Sequence, residues 1–410
     1  NQLKVLVNKQ EEWNQIFEES WRHMRDFFYD PSMHGLNWKT IHDKYQPLIK
    51  HVKHRSDLSY IIGEMIGELN VGHAYVNNGE RPQPMRLRTG QLGAKLSLDK
   101  SGYFRIDEIL QGANWSPKLR SPLNEVGVNV NPGDLILAVN GQTTKGIVNV
   151  YSLLIGQAEQ TVDLTVAPGG DLKEKKTVLV KPISGEGALQ YHKWVQENIQ
   201  KVNDATNGEV GYIHIPDMGV NGLNEFVKHY YPQLTKKALI IDDRGNGGGN
   251  VSPMIIERLM REITFATMHT NQTRGSVNPV GTMAGPMVAL IDQYSASDGD
   301  LFPYRFKHNK LGITIGVRTW GGVVGYSGSI PCIDGGSIVT PSYAPFAADG
   351  SGFIIEGYGV DPDIYVENDA YEEFMGIDKQ LEKAIEVILE DLKAYKKTVP
   401  PIPDFPKKNK

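Results

Sequence analysis

The chain has almost no cysteine: Cys332 stands alone among 410 residues. A single thiol excludes an intrachain disulfide and a thiolate metal cluster, and it leaves the compartment open. Basic charge is not in excess. Lysine and arginine number 43 against 48 acids, a formal net charge of −5, and the lysines near the C-terminus, at Lys396 and Lys397 and at Lys407, Lys408 and Lys410, read as a solvated terminus. This balance excludes the clustered basic surface that nucleic-acid recognition needs. No stretch approaches the ~20 apolar residues that cross a bilayer, and the opening NQLKVLVNKQEEW lacks the pattern of a secretory signal. Because the first residue is Asn1, the chain is expected to be part of something longer.

Metal and nucleotide motifs are missing too. There are 11 histidines, but no HExxH pattern, and the helix-spaced pair His51 and His54 has no matching carboxylate. A glycine-rich run at Asp242-Asp243-Arg244-Gly245-Asn246-Gly247-Gly248-Gly249 is not followed by Gly-Lys-Ser or Gly-Lys-Thr, and Asn250 stands where a dinucleotide fingerprint wants its last glycine. Neither a metal nor a cofactor is expected.

What is present is ordinary globular composition, 40% hydrophobic and 22% charged, over a length that calls for two or three domains. Residues 1–85 carry helical spacing, with Trp13, Phe17 and Trp21 followed by Leu58, Ile61, Ile62, Met65, Ile66 and Leu69. Asp30-Pro31 and Gly35-Leu36-Asn37 break it. Residues 86–183 change to short strands and turns; Asn131 to Gly141, NPGDLILAVNG, reads as a tight turn feeding a strand that ends in an Asn-Gly hairpin. This segment resembles a PDZ domain, which binds an extended peptide as an added strand, although a spacer without ligand fits the same pattern. A linking helix over 184–203 precedes alternating strands and helices over 204–395, the signature of a mostly parallel sheet. Residues 396–410 read as a flexible Pro-rich tail.

Three segments carry chemistry. Ser297 follows the strand PMVALIDQ, expected to end at Tyr294, and precedes a helix expected after Ser297-Asp298-Gly299-Asp300. There a hydroxyl and the next N–H groups lie at the positive end of a helix dipole, as a serine nucleophile requires, yet an ordinary helix cap gives the same pattern. The glycine run lets backbone N–H groups approach a reacting carbonyl oxygen. His73 lies in Val71-Gly72-His73-Ala74-Tyr75, and the residues alone do not pair it with Ser297.

Together GHAY, DDRGNGGGN, QYSASDGDLFPYRFK, GVRTWGGVVG and IEGYGVDPDI, in that order, resemble the tricorn protease family over nearly the whole chain. The resemblance implies a multidomain α/β protein with a helical N-terminal domain, a PDZ-like β domain and a crotonase-like catalytic domain. It implies a serine peptidase that hydrolyses oligopeptides with Ser297 as nucleophile and His73 as base, Glu356 supporting the histidine, and the N–H groups of Gly249 and Asp298 forming an oxyanion hole. It further implies a homo-oligomer, β-propeller domains upstream of this core, and a cytoplasmic setting, with a periplasmic one as alternative. Two positions depart from the family pattern. Gly72 stands where the family has a serine relaying between histidine and glutamate, and Thr270 falls nearest the family's aspartate in the substrate pocket. The rival readings are a C-terminal processing peptidase, whose lysine base would fall near Gly321-Gly322, and a PDZ or crotonase-like binding protein with a decayed site.

Overall fold

The structure, a computed structural model, describes residues 6–77, 79–81, 83–273, 275–395 and 401–408. The chain forms two compact units, one made of Asn1–Pro82 with Val202–Lys410 and the other of Gln83–Lys201.

In the first unit, helices α1 (Lys9–Phe27), α2 (Trp38–Tyr45) and α3 (Arg55–Gly67) bury the spaced apolar residues read from the sequence: Phe17, Leu58, Ile62, Met65, Ile66 and Leu69 are buried, with Trp13 and Trp21 packed against them. Asn8 caps α1 by accepting the Gln10 N–H, and Asn37 caps α2 by accepting that of Thr40. Cys332 and Ile338, from far along the chain, complete this core. Burial pushes the Cys332 thiol up to about 11, which leaves it protonated and a poor nucleophile. After α3 comes the short strand β1 (Tyr75–Asn77).

The second unit is an antiparallel sheet of β2 (Ala94–Leu98), β3 (Phe104–Ile109), β4 (Leu135–Val139), β6 (Val162–Ala167) and β7 (Lys176–Val180) in that order, with β5 (Gln142–Thr143) on β4. Asn140 and Gly141 join β4 to β5 with φ of 48° and 77°. Both values lie in the left-handed region, the primed turn for which Asn-Gly is suited. Helix α4 runs over Gly187–Ala205.

The first unit resumes with β8 (Val210–His214), α5 (Val220–Tyr230), β9 (Ala238–Asp242), α6 (Ser252–Leu259), the hairpin β10 (Phe265–Thr267) and β11 (Ser276–Asn278), β12 (Met287–Ile291), α7 (Asp298–His308) and β13 (Gly312–Gly316). Then come β14 (Ser329–Pro331), β15 (Ser337–Val339), β16 (Ile364–Tyr365), α8 (Ala370–Phe374) and α9 (Lys379–Ala394). Strands β16, β13, β12, β9 and β8 form one parallel sheet in that order. Strands β8, β9 and β12 are buried along their whole length, as strands covered on both faces should be. No helix among the described residues is long and apolar enough to cross a membrane. The expected tail lies partly outside the described residues, and 401–408 contain neither helix nor strand.

Three features position the chemistry. Strand β12 ends at Ile291, short of the Tyr294 expected from the apolar run. The Asp292 carboxylate accepts the N–H groups of Tyr294 and Ser295 and bends the chain before the apolar run is finished. Likewise α7 begins at Asp298, so Asp298 and Asp300 lie within its first turn rather than before it. Strand β1 pairs antiparallel with β15, Tyr75 opposite Val339, and this pairing ties the segment after His73 to the C-terminal half of the chain.

Candidate active site

Ser297 is the cap residue of α7, but not an ordinary one. Its φ of 59° and ψ of −117° lie far from the extended backbone of most N-caps. Its N–H donates to Asp300 Oδ2 at 2.7 Å, and Asp300 also accepts the N–H groups of Gly321 and Gly322 at 2.7 and 3.2 Å. Burial nevertheless holds the Asp300 carboxyl above the usual range, against those donors and Thr319. His73 is likewise left-handed, at φ 58°, and so is Ile355, at φ 45°, directly before Glu356. Left-handed backbone is uncommon for non-glycine residues and an outlier for a β-branched one, with a cost of ~1–3 kcal/mol each. Three such residues at or beside His73, Ser297 and Glu356 mark a place where the fold over-determines local geometry.

The glycine run packs on the Ser297 turn. A Cβ on Gly248 (φ +97°) would lie 2.6 Å from both the Ala296 carbonyl oxygen and Ser297 Cβ, so only glycine permits this approach. Asn246 anchors the contact: its carbonyl accepts the Ala296 N–H at 2.8 Å, and its side chain donates to Asp243 Oδ1 at 2.8 Å. Asp243 is fully buried, and burial together with the neighbouring Asp242 raises its carboxyl well above the ordinary range. Gly249 bridges to Met218, yet neither its N–H nor that of Asp298 is used in a hydrogen bond among the described residues. The Asp298 side chain, by contrast, is fully engaged, accepting from Ser252 N–H, Ser252 Oγ and Arg305. Ser295, two residues before Ser297, is buried with its hydroxyl donating to the Asp243 carbonyl at 2.9 Å.

On the other side, Glu356 is a hub for backbone donors. Its Oε1 accepts Gly72 N–H at 3.1 Å, and its Oε2 accepts Val323 and Val324 N–H at 2.6 and 2.7 Å. The carboxylate thus holds the residue before His73 against the segment that follows Gly321 and Gly322, which Asp300 holds in turn. No hydrogen bond links Glu356 to the His73 ring, whose Nδ1 is buried and unpartnered. Burial lowers the His73 pKa, outweighing the charges of Glu356 and Asp300 and the nearby main chain of Val324, all of which raise it. Burial thus favours the neutral imidazole, the state that a base needs.

His73, Ser297, Glu356, Gly249 and Asp298 all belong to the first unit, joined through these contacts. Thr270 is exposed in the connection between β10 and β11 and takes part in none of these contacts. Sequence reasoning overlooked Asp300 and also Trp320, whose main-chain N–H donates to the Ser295 carbonyl at 3.0 Å and whose ring centroid lies 5.9 Å from that of His73. The spacing Ser297-x-x-Asp300 at a helix start, a capping-box pattern, was the available signal for the first.

Residues 209–366 match the family described as Peptidase family S41, which sets the class of the segment holding Ser297 and Glu356. Residues 9–67 match the Tricorn protease C1 domain and 90–185 the Tricorn protease PDZ domain. The chain is 35% identical over 97% of its length to Tricorn protease homolog 1 of Streptomyces coelicolor, and 35% identical over 97% to Tricorn protease of Thermoplasma volcanium. It covers 37% and 38% of those proteins, so it spans little more than a third of the relatives it matches. A solved tricorn protease structure superposes with a TM-score of 0.88 at 33% identity, covering 95% of this chain and 37% of that one. The chain belongs to the tricorn protease family.

Proposed function

We propose that this chain is the catalytic core of a serine peptidase acting on oligopeptides. Ser297 Oγ attacks the scissile carbonyl while His73 takes its proton; a C–O bond forms, the C–N bond breaks, and His73 returns the proton to the leaving amine. Water then repeats the sequence on the acyl-enzyme. The uncommitted N–H groups of Gly249 and Asp298 receive the developing oxyanion, where a single donor is typically worth ~3 kcal/mol of barrier. Glu356 acts on His73 through charge and through the backbone it holds. The observation that carries this reading is the left-handed Ser297 at the start of α7 with Gly248 packed directly against it.

The same reading makes the segment 204–395 a crotonase-like peptidase domain beside a helical domain (1–85), a PDZ-like domain (86–183) and a linking helix (184–203). It assigns Thr270 to the substrate pocket, a peptide or C-terminus to the PDZ-like sheet, a homo-oligomeric assembly, and upstream β-propellers to the whole protein. Ser297→Ala should abolish peptide hydrolysis with melting temperature nearly unchanged. Ser295→Ala should retain turnover and lower stability by ~1 kcal/mol, through loss of its buried hydrogen bond. Activity that survives in Ser297→Ala but not in Ser295→Ala would move the nucleophile.

A further inference from the structure

The His73 ring is surrounded by aromatic side chains that the mechanism above does not use. Tyr75, Trp320 and Tyr326 have ring centroids 6.0, 5.9 and 5.8 Å from that of His73. Tyr75 and Tyr326 also meet edge to face at 6.5 Å. The three come from separate stretches of chain: Tyr75 opens β1, the Trp320 main-chain N–H donates to the Ser295 carbonyl at 3.0 Å, and Tyr326 follows the Gly325 bridge to Tyr343. Glycine makes room for the indole, since a Cβ on Gly322 would lie 2.0 Å from the Trp320 ring.

Packing around a base explains only part of this. Trp320 remains 49% exposed, and Tyr75 and Tyr326 43% each, so all three rings keep substantial surface open to solvent around a histidine that is itself buried. Large aromatics left half open beside a reactive group offer apolar area and π faces to an incoming side chain. The carboxylates whose charges reach His73, Glu356 and Asp300, are already occupied by backbone donors, so none is free to select a cationic side chain here.

We infer that Tyr75, Trp320 and Tyr326 form the subsite for the residue on the amine side of the scissile bond, and that this subsite selects large apolar side chains. The argument rests on the proposed peptidase mechanism. The group that protonates the leaving nitrogen must touch it, so the side chain of the residue bearing that nitrogen sits within a few ångströms of the His73 ring. The three rings are the surface it meets. Acidic side chains are disfavoured by the negative π faces, and glycine gains nothing from them.

The test uses partition of the acyl-enzyme. A peptide ester acylates Ser297, and amino-acid amides compete with water: the amine nitrogen attacks the acyl carbonyl, the C–N bond forms, the bond to Ser297 Oγ breaks, and the amine proton passes through His73 to that oxygen. The ratio of aminolysis to hydrolysis should favour phenylalanine, tryptophan and leucine amides over glycine and aspartate amides by ~10-fold or more, as apolar subsites discriminate. In Trp320→Ala and Tyr326→Ala the preference should fall to within ~3-fold, and Trp320→Phe should restore most of it. Because both products come from one acyl-enzyme, slower acylation in a variant cancels. A flat wild-type profile, or a preference unchanged by both alanine variants, overturns the subsite assignment and leaves the peptidase reading intact. Failure to form any acyl-enzyme on Ser297 overturns both.

Discussion

The position before the proposed base gives the sharpest test of how His73 is oriented. Gly72 carries no side chain, and the buried Nδ1 of His73 has no partner. Replacement by serine is sterically open. A Cβ at Gly72 would lie 3.4 Å from Glu356 Oε1, 3.5 Å from Gly322 Cα and 3.6 Å from Trp320, all ordinary contacts, and its φ lies outside the left-handed range. A hydroxyl one bond further out can donate to Glu356 and accept from the imidazolium as it forms. A net hydrogen bond is worth ~0.5–1.5 kcal/mol, and if it is realised chiefly in the transition state, kcat rises ~2- to 10-fold while KM stays within about twofold. Gly72→Ala supplies the steric control, and Glu356→Ala the chemical one. The Glu356→Ala change itself strips three backbone donors of their acceptor and should cost much activity, so the informative quantity is the gain from Gly72→Ser in each background. That gain should vanish without Glu356. An equal gain in Gly72→Ala, a gain indifferent to Glu356, or a large loss in Gly72→Ser would refute the reasoning.

Further outcomes follow from the same contacts. Because burial lowers the His73 pKa, the acid limb of kcat/KM should fall below the ordinary histidine value of ~6.5, so activity persists to lower pH than an exposed base would allow. Trp320→Ala, by admitting water, should move that limb up, whereas Glu356→Gln, by removing a charge that favours the imidazolium, should move it down; a pH profile in which the two shifts are reversed contradicts the assignment. For stability the sign is the same: below ~6.5 the unfolded chain holds the extra proton, so the His73 contribution is lost as pH falls from there through the folded value. Before the scissile bond, lysine and arginine should not be preferred, since residues 265–276 around Thr270 contain no acid. A peptide-library profile dominated by those two residues would require a carboxylate from elsewhere.

Much of the architecture was legible in the sequence. The helical spacing of Leu58 to Leu69, the Asn140-Gly141 hairpin and the apolar strands after Gly208 are short-range signals with local causes, and each lies where its pattern puts it. The site was legible only in pieces. What brings His73 to the C-terminal half is a three-residue strand, β1, too short to have a period, paired with β15, which lies far along the chain. The left-handed backbone of His73, Ser297 and Ile355 runs against their residue types, and local propensity cannot anticipate conformations that tertiary contacts impose. The end of β12 was misread for a related reason. An apolar run says where a strand could continue, while the Asp292 carboxylate decides where it stops.

The central claim is that Ser297 is an activated nucleophile with His73 as its base. A fluorophosphonate probe followed by peptide mapping tests both halves at once, independently of the natural substrate. A single adduct on Ser297, absent in Ser297→Ala and slowed ~100-fold or more in His73→Ala, is the predicted result. An adduct on another serine, no adduct on the folded chain, or labelling of Ser297 at an unchanged rate in His73→Ala would contradict it.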